Sequence, residues 1–199
     1  MSNGKYLMGV KAQKATATRA RLITVARELF AAQGYAATGT EAILAAAGVT
    51  RGALYHHFAD KQALFAQVCE ELHGEAEQVI ETDADAQGTA FDGLVAGCLG
   101  FLDFMAAPDV RRILILDAPS VLGWEAWNEM DRRHGFGLLI EGVKAAVAEG
   151  SLEGEAEALA VMINGALNYG VVWAGQSESP EALARLKSSF IETMTRLRR

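Results

Sequence analysis

Residues 40–58 read TEAILAAAGVTRGALYHHF. Two short helices joined by a glycine-containing turn are the pattern of a helix-turn-helix. Thr40 is read as the N-cap of a helix from Glu41 to about Ala47, with Ile43, Leu44 and Ala47 inward. Ala45, Ala46 and Ala47 are small enough for two helices to approach closely, and Gly48 permits the sharp turn. Thr50 is read as a second N-cap, for a helix through Leu54 to about His57. Val49 and Leu54 plug the core beneath. Arg51, Gly52, Ala53, Tyr55, His56 and His57 are left facing outward.

That outward face suits a major groove. Helix N-terminal amides and Thr50 can bind a phosphate. Arg51 can make a bidentate contact to guanine or pair with phosphate. Gly52 and Ala53 keep the face low, so that backbone and methyl groups come near bases. Lys61 follows in the first turn of the next helix, which Asp60 caps. A lysine is disfavoured at that positive helix end, which points to a ligand outside the chain. Tyr55 serves either the groove or the core. His56 and His57 are adjacent on a helix and point in different directions, so no shared metal is expected.

Working outward, the chain reads as all-α, since alanine, leucine and glutamate dominate. Residues 1–17 read as a flexible basic arm carrying Lys5, Lys11 and Lys14, either a solvated tail or a minor-groove contact. A first helix is expected from Thr18, with Leu22, Ile23, Ala26, Leu29 and Phe30 on one face and Gly34 ending it. The helix after Asp60 carries Leu64, Phe65, Val68 and Leu72 and is expected to fade near Thr82, in TDADAQGT. Further helices are expected over 90–105, from Pro108 to before Pro119, over 124–149, over 155–174 and over 180–197. The boundaries are thus 1–17 for the arm, 18–63 for the helix-turn-helix domain and 64–199 for a larger helical domain.

The 199 residues are 51% hydrophobic, too apolar for a disordered chain. No apolar run is expected to span a bilayer, and the basic N-terminus lacks the apolar core of a signal peptide. Cys69 and Cys98 sit among apolar neighbours without metal-ligand spacing and are read as buried thiols of a cytoplasmic protein. The net charge of −7 hides a division. Residues 1–66 hold eight Lys/Arg and three Asp/Glu, a net of +5; residues 67–199 hold ten and twenty-two, a net of −12. The first part attracts a polyanion and the second is repelled by one. No G-x-S-x-G, P-loop, G-x-G-x-x-G or H-E-x-x-H occurs, and Ser120 lies in APSVLG without nucleophile-elbow glycines. No catalytic residue, metal or cofactor is therefore expected, and an enzyme is disfavoured. A helical protein that regulates by binding another protein is the remaining rival, opposed by Arg51, Tyr55 and Lys61.

Residues 18–65 closely resemble the DNA-binding domain of the TetR family of transcriptional regulators. The resemblance is carried by Ala26, Leu29, Phe30, Gly34, Tyr35, Thr38, Ala47, Gly48, Val49, Arg51, Gly52, Leu54, Tyr55, His57, Phe58, Lys61 and Leu64. It covers about a quarter of the chain. It implies a three-helix DNA-binding domain and a larger, divergent ligand-binding and dimerisation domain. It also implies that Thr40, Thr50 and Lys61 hold phosphates and that Arg51, Gly52 and Ala53 face bases. Tyr55 and His56 would lie on phosphate and groove wall. Ala53 stands where a hydroxyl residue is common in the family, which removes one possible hydrogen bond.

For the rest of the chain, the resemblance implies that the last two helices pair with those of a second copy. Leu183, Leu186, Phe190, Met194 and Leu197 recur at helical spacing, and Gly165, Ala166, Gly170 and Ala174 form a small-residue face. The middle helices are rich in bulky apolar groups, including Phe91, Phe104 and Phe136. The residues expected to line an effector pocket are Phe101, Met105, Trp124, Trp127, Met130, Asn164 and Asn168, with His134 a further polar candidate. Gly135, Gly137 and Gly142 either bend the helix beside that pocket or serve close packing. The expected function is a ligand-responsive transcriptional regulator, a repressor as most of the family are or else an activator, that binds a palindromic operator in double-stranded DNA as a homodimer. A small hydrophobic or amphipathic effector would release it.

Overall fold

The computed structural model describes residues 3–199, with side chains from residue 13. It is helical throughout, and among the described residues there is no strand. By contact density the chain divides into two compact units, Met1–Cys69 and Glu70–Arg199.

The first unit holds α1 (Asn3–Gln33), α2 (Thr40–Ala47), α3 (Arg51–His57) and the start of α4 (Lys61–Asp85). Helix α1 begins well before Thr18, which corrects both the expected start and the expected flexible arm. Thr18 is no cap: its hydroxyl donates to the Lys14 carbonyl at 2.9 Å, within a continuous helix. Residues 1 and 2, and the side chains of Lys5 and Lys11, lie outside the described residues. Gly34 ends α1 at φ +80°, and its N–H donates to the Phe30 carbonyl at 2.8 Å. Leu22, Phe30, Ile43, Leu54, Leu64 and Phe65 are fully buried. Phe30 and Phe65 meet edge to face at 5.1 Å between ring centroids.

Thr40 lies inside α2 and Gly39 takes the N-cap position, another correction. Gly48 closes α2 at φ +62°, and the Val49 N–H donates back to the Leu44 carbonyl at 3.2 Å. That 6→1 bond is the Schellman ending, which needs the left-handed conformation glycine adopts freely. Thr50 and Asp60 are true caps: they accept from the N–H of Ala53 at 3.3 Å and of Ala63 at 2.7 Å.

The second unit holds the rest of α4, then α5 (Ala90–Ala106), α6 (Pro108–Val110), a π-helical stretch (Arg111–Asp117), α7 (Ala118–Leu122), α8 (Trp124–Arg133), α9 (Gly135–Glu149), α10 (Ala156–Gln176) and α11 (Ala182–Leu197). Three expectations change. Helix α4 continues to Asp85, because Thr82 donates to the Gln78 carbonyl at 2.7 Å and stays within the helix. Pro119 does not stop a helix; it sits in the first turn of α7, where its missing N–H leaves no bond unmade. The expected helix over 124–149 breaks at His134, with φ −119° and ψ −112°. At that break Gly137 is required, since a Cβ there would lie 2.7 Å from the Arg132 carbonyl oxygen.

Helix α10 is by length and composition alone apolar enough to cross a bilayer, and 28% of its apolar window is buried within the chain. Its small residues divide in use. Gly170 serves the chain itself, where a Cβ would lie 2.8 Å from the Leu186 side chain, whereas Gly165 meets nothing.

Candidate nucleic-acid interface and internal cavity

In the first unit, α3 buries Leu54 and presents Arg51, Gly52, Tyr55 and His56 to solvent. Tyr55 is 49% exposed, which excludes it from the core. Ala53 and His57 are half-buried. Burial lowers the His57 pKa first, and the charges of His56 and Arg19 lower it further, so the ring is neutral at pH 7. A Cβ on Gly52 would meet nothing, so the surface is open there. Arg51 forms an ion pair with Glu41, and its Nε donates to Glu41 Oε1 at 3.1 Å. Both side chains are largely in water, so the pair is weak and readily exchanged for another anion.

Lys61 is placed differently from its expectation. Its ammonium donates to the carbonyls of Tyr35 and Thr38, each at 2.9 Å, and lies 4.0 Å from the Tyr35 ring centroid. The conflict with the helix dipole is thus answered inside the chain. Two of three donors are used, and one remains for an outside anion. Glu41 and these two carbonyls were missed in the sequence. The i+10 spacing from Glu41 to Arg51 has meaning only once the Gly48 turn is known.

In the second unit, a cavity of about 380 Å³ lies among α4, α5, α9 and α10. Ile80, Leu94, Phe101, Leu139 and Leu167 give it apolar walls. Of the seven residues expected to line a pocket, Phe101 and Asn164 do so. Met105, Trp127 and Met130 are buried in packing away from the cavity lining, and the Trp127 indole N–H donates to the Leu114 carbonyl at 3.0 Å. Trp124 is 68% exposed, stacked beside Trp127. Asn168 stands one step behind: its Nδ2 donates to Asn164 Oδ1 at 3.0 Å, and Asn164 Nδ2 donates to Asp131 Oδ2 at 3.3 Å. Burial raises the Asp131 pKa, with the Asn164 bond and the His134 charge pulling the other way. Cys98 also lines the cavity, and burial pushes its thiol up to about 12, so it is inert. Cys69 is likewise buried.

His134, at the helix break, lies between two carboxylates of α4. Its Nδ1 is 2.9 Å from Glu77 and its Nε2 is 2.9 Å from Glu70. Burial opposes its charge, but the hydrogen bonds and charges of Glu77 and Glu70 outweigh it and raise the pKa. Arg133 also pairs with Glu70, at 2.5 Å. The buried His73 ring stacks on His134 at 5.6 Å, and burial and that neighbour's charge lower its pKa to about 4.

Comparison with known proteins bears on both units. Residues 22–68 match the family model described as bacterial regulatory proteins, tetR family, and residues 91–197 match the tetracyclin repressor-like C-terminal domain. The chain is similar to the HTH-type transcriptional regulator AcrR of Shigella flexneri, 36% identical over 104 residues, which is 52% of this chain and 48% of AcrR. It is 25% identical over 171 residues to the Tn10 TetC protein of Escherichia coli, covering 85% of each. The match thus spans about half the length of AcrR but most of TetC. Among solved structures, a TetR-family transcriptional regulator from Pectobacterium atrosepticum superposes with a TM-score of 0.77 at 29% identity, over 94% of this chain and 96% of that one. The matched families are those of regulators and not of enzymes. Two matched domains, one carrying the exposed α3 face and one the α5, α9 and α10 walls of the cavity, lead to one conclusion: the chain belongs to the TetR family of DNA-binding transcriptional regulators.

Proposed function

We propose that the protein is a ligand-responsive repressor of the cytoplasm. It binds a palindromic operator as a homodimer and leaves it when a small hydrophobic or amphipathic molecule fills the cavity. The observation that carries this reading is the α3 face, where Arg51, Gly52, Tyr55 and His56 stand in solvent around the buried anchor Leu54. In the groove, Arg51 exchanges Glu41 for guanine or phosphate, and Gly52 and Ala53 lie against base edges. Thr40 and Thr50 hydroxyls, the third Lys61 donor, Tyr55 and His56 serve the backbone and groove wall.

The dimer is supported by an apolar face left exposed among the described residues. Met162 is 72% and Tyr169 73% exposed on α10, with Trp173 and, on α11, Ile191 also exposed. Gly165 and Ala166 lie between them, low enough for a second helix to approach. The effector is supported by the cavity, whose wall includes Ile80 and Ala84 of α4. The first residue of that helix, Lys61, holds the turn before α2. A ligand that displaces the late turns of α4 biases the helix that carries Lys61, and a few kcal/mol of preference between two states suffices.

The test is selection of bound duplexes from a random DNA pool. A recovered palindrome with half-sites about one helical turn apart supports the dimeric operator reader. Binding without a motif, lost at modest salt, leaves only a basic surface with non-specific affinity.

A further inference from the structure

The cavity has a charge pattern that the expected hydrophobic effector does not use. Three carboxylates belong to its lining, Glu81 and Asp85 on α4 and Glu141 on α9, and all three are exposed, so they stand at its mouth. None of the lining residues is Lys, Arg or His. Glu81 and Asp85 are four residues apart on one helix face, where like charges repel and a cation between them relieves the repulsion. Two cations stand near the mouth and both are paired: Lys144 with Glu141 at 2.9 Å, and Arg198, whose charge also acts on Glu149, with Asp92 at 3.0 Å.

An anionic ligand would need another positive feature; besides Gly135, the first residue of α9, the lining holds the N-terminus of α5 at Thr89 and Ala90. That end is already filled. The Glu149 carboxylate accepts from the N–H of Ala90 at 3.2 Å and of Phe91 at 3.3 Å, and Thr89 Oγ1 accepts from Asp92 N–H at 3.1 Å. A fatty carboxylate entering the mouth would meet three negative groups and, at the α5 end, amides that are already bonded. A cation with an apolar tail would place its charge among Glu81, Asp85 and Glu141, with the tail against Leu94 and Phe101. We propose that the cavity takes a cationic amphiphile, an alkyl or aryl amine or quaternary ammonium, and discriminates against anionic lipids of the same chain length. The proposal rests on the reading of this cavity as the effector site.

The test titrates the full-length protein by calorimetry with decyltrimethylammonium and decanoate below their micellar concentrations and with decan-1-ol below its solubility limit. The ammonium is expected to bind once per chain and about ten-fold or more tighter than decanoate, with decanol between them. Combining Glu81→Gln, Asp85→Asn and Glu141→Gln should close the gap between the charged probes and leave decanol binding within about two-fold. Ala145→Trp, which fills the mouth, should abolish binding of all three. Decanoate binding as tightly as the ammonium overturns the charge assignment while leaving an effector cavity in place. Ammonium binding at many sites, insensitive to Ala145→Trp, is surface adsorption and overturns the proposal. No binding by any probe overturns the proposal together with the effector reading of this cavity.

Discussion

Two of the three N–H donors of Lys61 point into the chain, at carbonyls of the turn between α1 and α2. Its substitution therefore has two separable effects. Lys61→Ala should lower stability by about 1–2 kcal/mol, read by denaturant unfolding, because charge-assisted bonds to two carbonyls are lost. It should also weaken binding about equally on all DNA sequences and reduce the salt slope by roughly one. Weaker binding with unchanged stability would mean that the inward bonds contribute nothing. Arg51 is the converse case, an exposed side chain held by an exposed partner. Glu41→Gln should change stability by no more than about 0.5 kcal/mol. The same change should tighten DNA binding, because it removes both a competitor for Arg51 and a negative charge. Arg51→Ala should cost about 1–3 kcal/mol at one base pair per half-site if the contact is bidentate. The exposed side chains of α3 were legible because exposure on a short capped helix follows from spacing alone. The partners of Arg51 and Lys61 were not, because they arrive through a turn.

At the scale of an element, threonines show what spacing decides. Thr50 follows the Gly48 turn, so its backbone is extended and its side chain caps. Thr18 and Thr82 have helical residues before them, and their hydroxyls turn back to a carbonyl four residues earlier. A threonine among helix formers is therefore no start or stop signal without a turn beside it. The break between α8 and α9 was legible only as a glycine cluster, and its reason is one contact. Gly137→Ala drives a Cβ into the Arg132 carbonyl and should cost about 1–3 kcal/mol, measured by thermal unfolding. Gly74→Ala, inside α4 with open space around it, is the control and should be neutral or slightly stabilising. His134 adds a pH dependence to the same break. Its pKa in the folded chain is raised above the unfolded value, so its contribution is full below that unfolded value. The contribution is lost as pH rises through the folded pKa. His73 acts oppositely, since its lowered pKa, about 4, makes acidification below the ordinary histidine range destabilising. Melting temperature against pH should therefore fall on both sides, and His134→Gln should flatten the alkaline side most, softening the acid side only by the share of the His73 shift that the His134 charge supplies.

Across the whole chain, the opposed charges of the two parts and the helical content were readable from composition, whereas the cavity was not. Bulky aromatic residues mark volume, and volume goes to packing as readily as to a pocket: Trp127 is anchored to Leu114, and Trp124 is in water. The cavity is instead bounded by small residues, Gly93, Gly97 and Gly142, at which α5 meets α4 and α9 closely. The exposed face of α10 was half legible for the same reason, since its glycines serve two purposes. Gly170 accommodates Leu186 of the same chain, so the surface left for a second copy is the row Met162, Gly165, Ala166, Tyr169 and Trp173. In the proposed homodimer a charge placed there would meet its own symmetry mate across a two-fold axis, because an isologous interface brings the same patch together twice. Met162→Glu with Tyr169→Glu should therefore give a monomer in sedimentation velocity, with circular dichroism unchanged. The monomer should bind a half-site duplex about as well as the wild-type chain does, and should lose the added affinity that a palindrome supplies by joining two half-sites. A dimer that survives both substitutions would place the interface on another face and leave the apolar surface of α10 for a different partner.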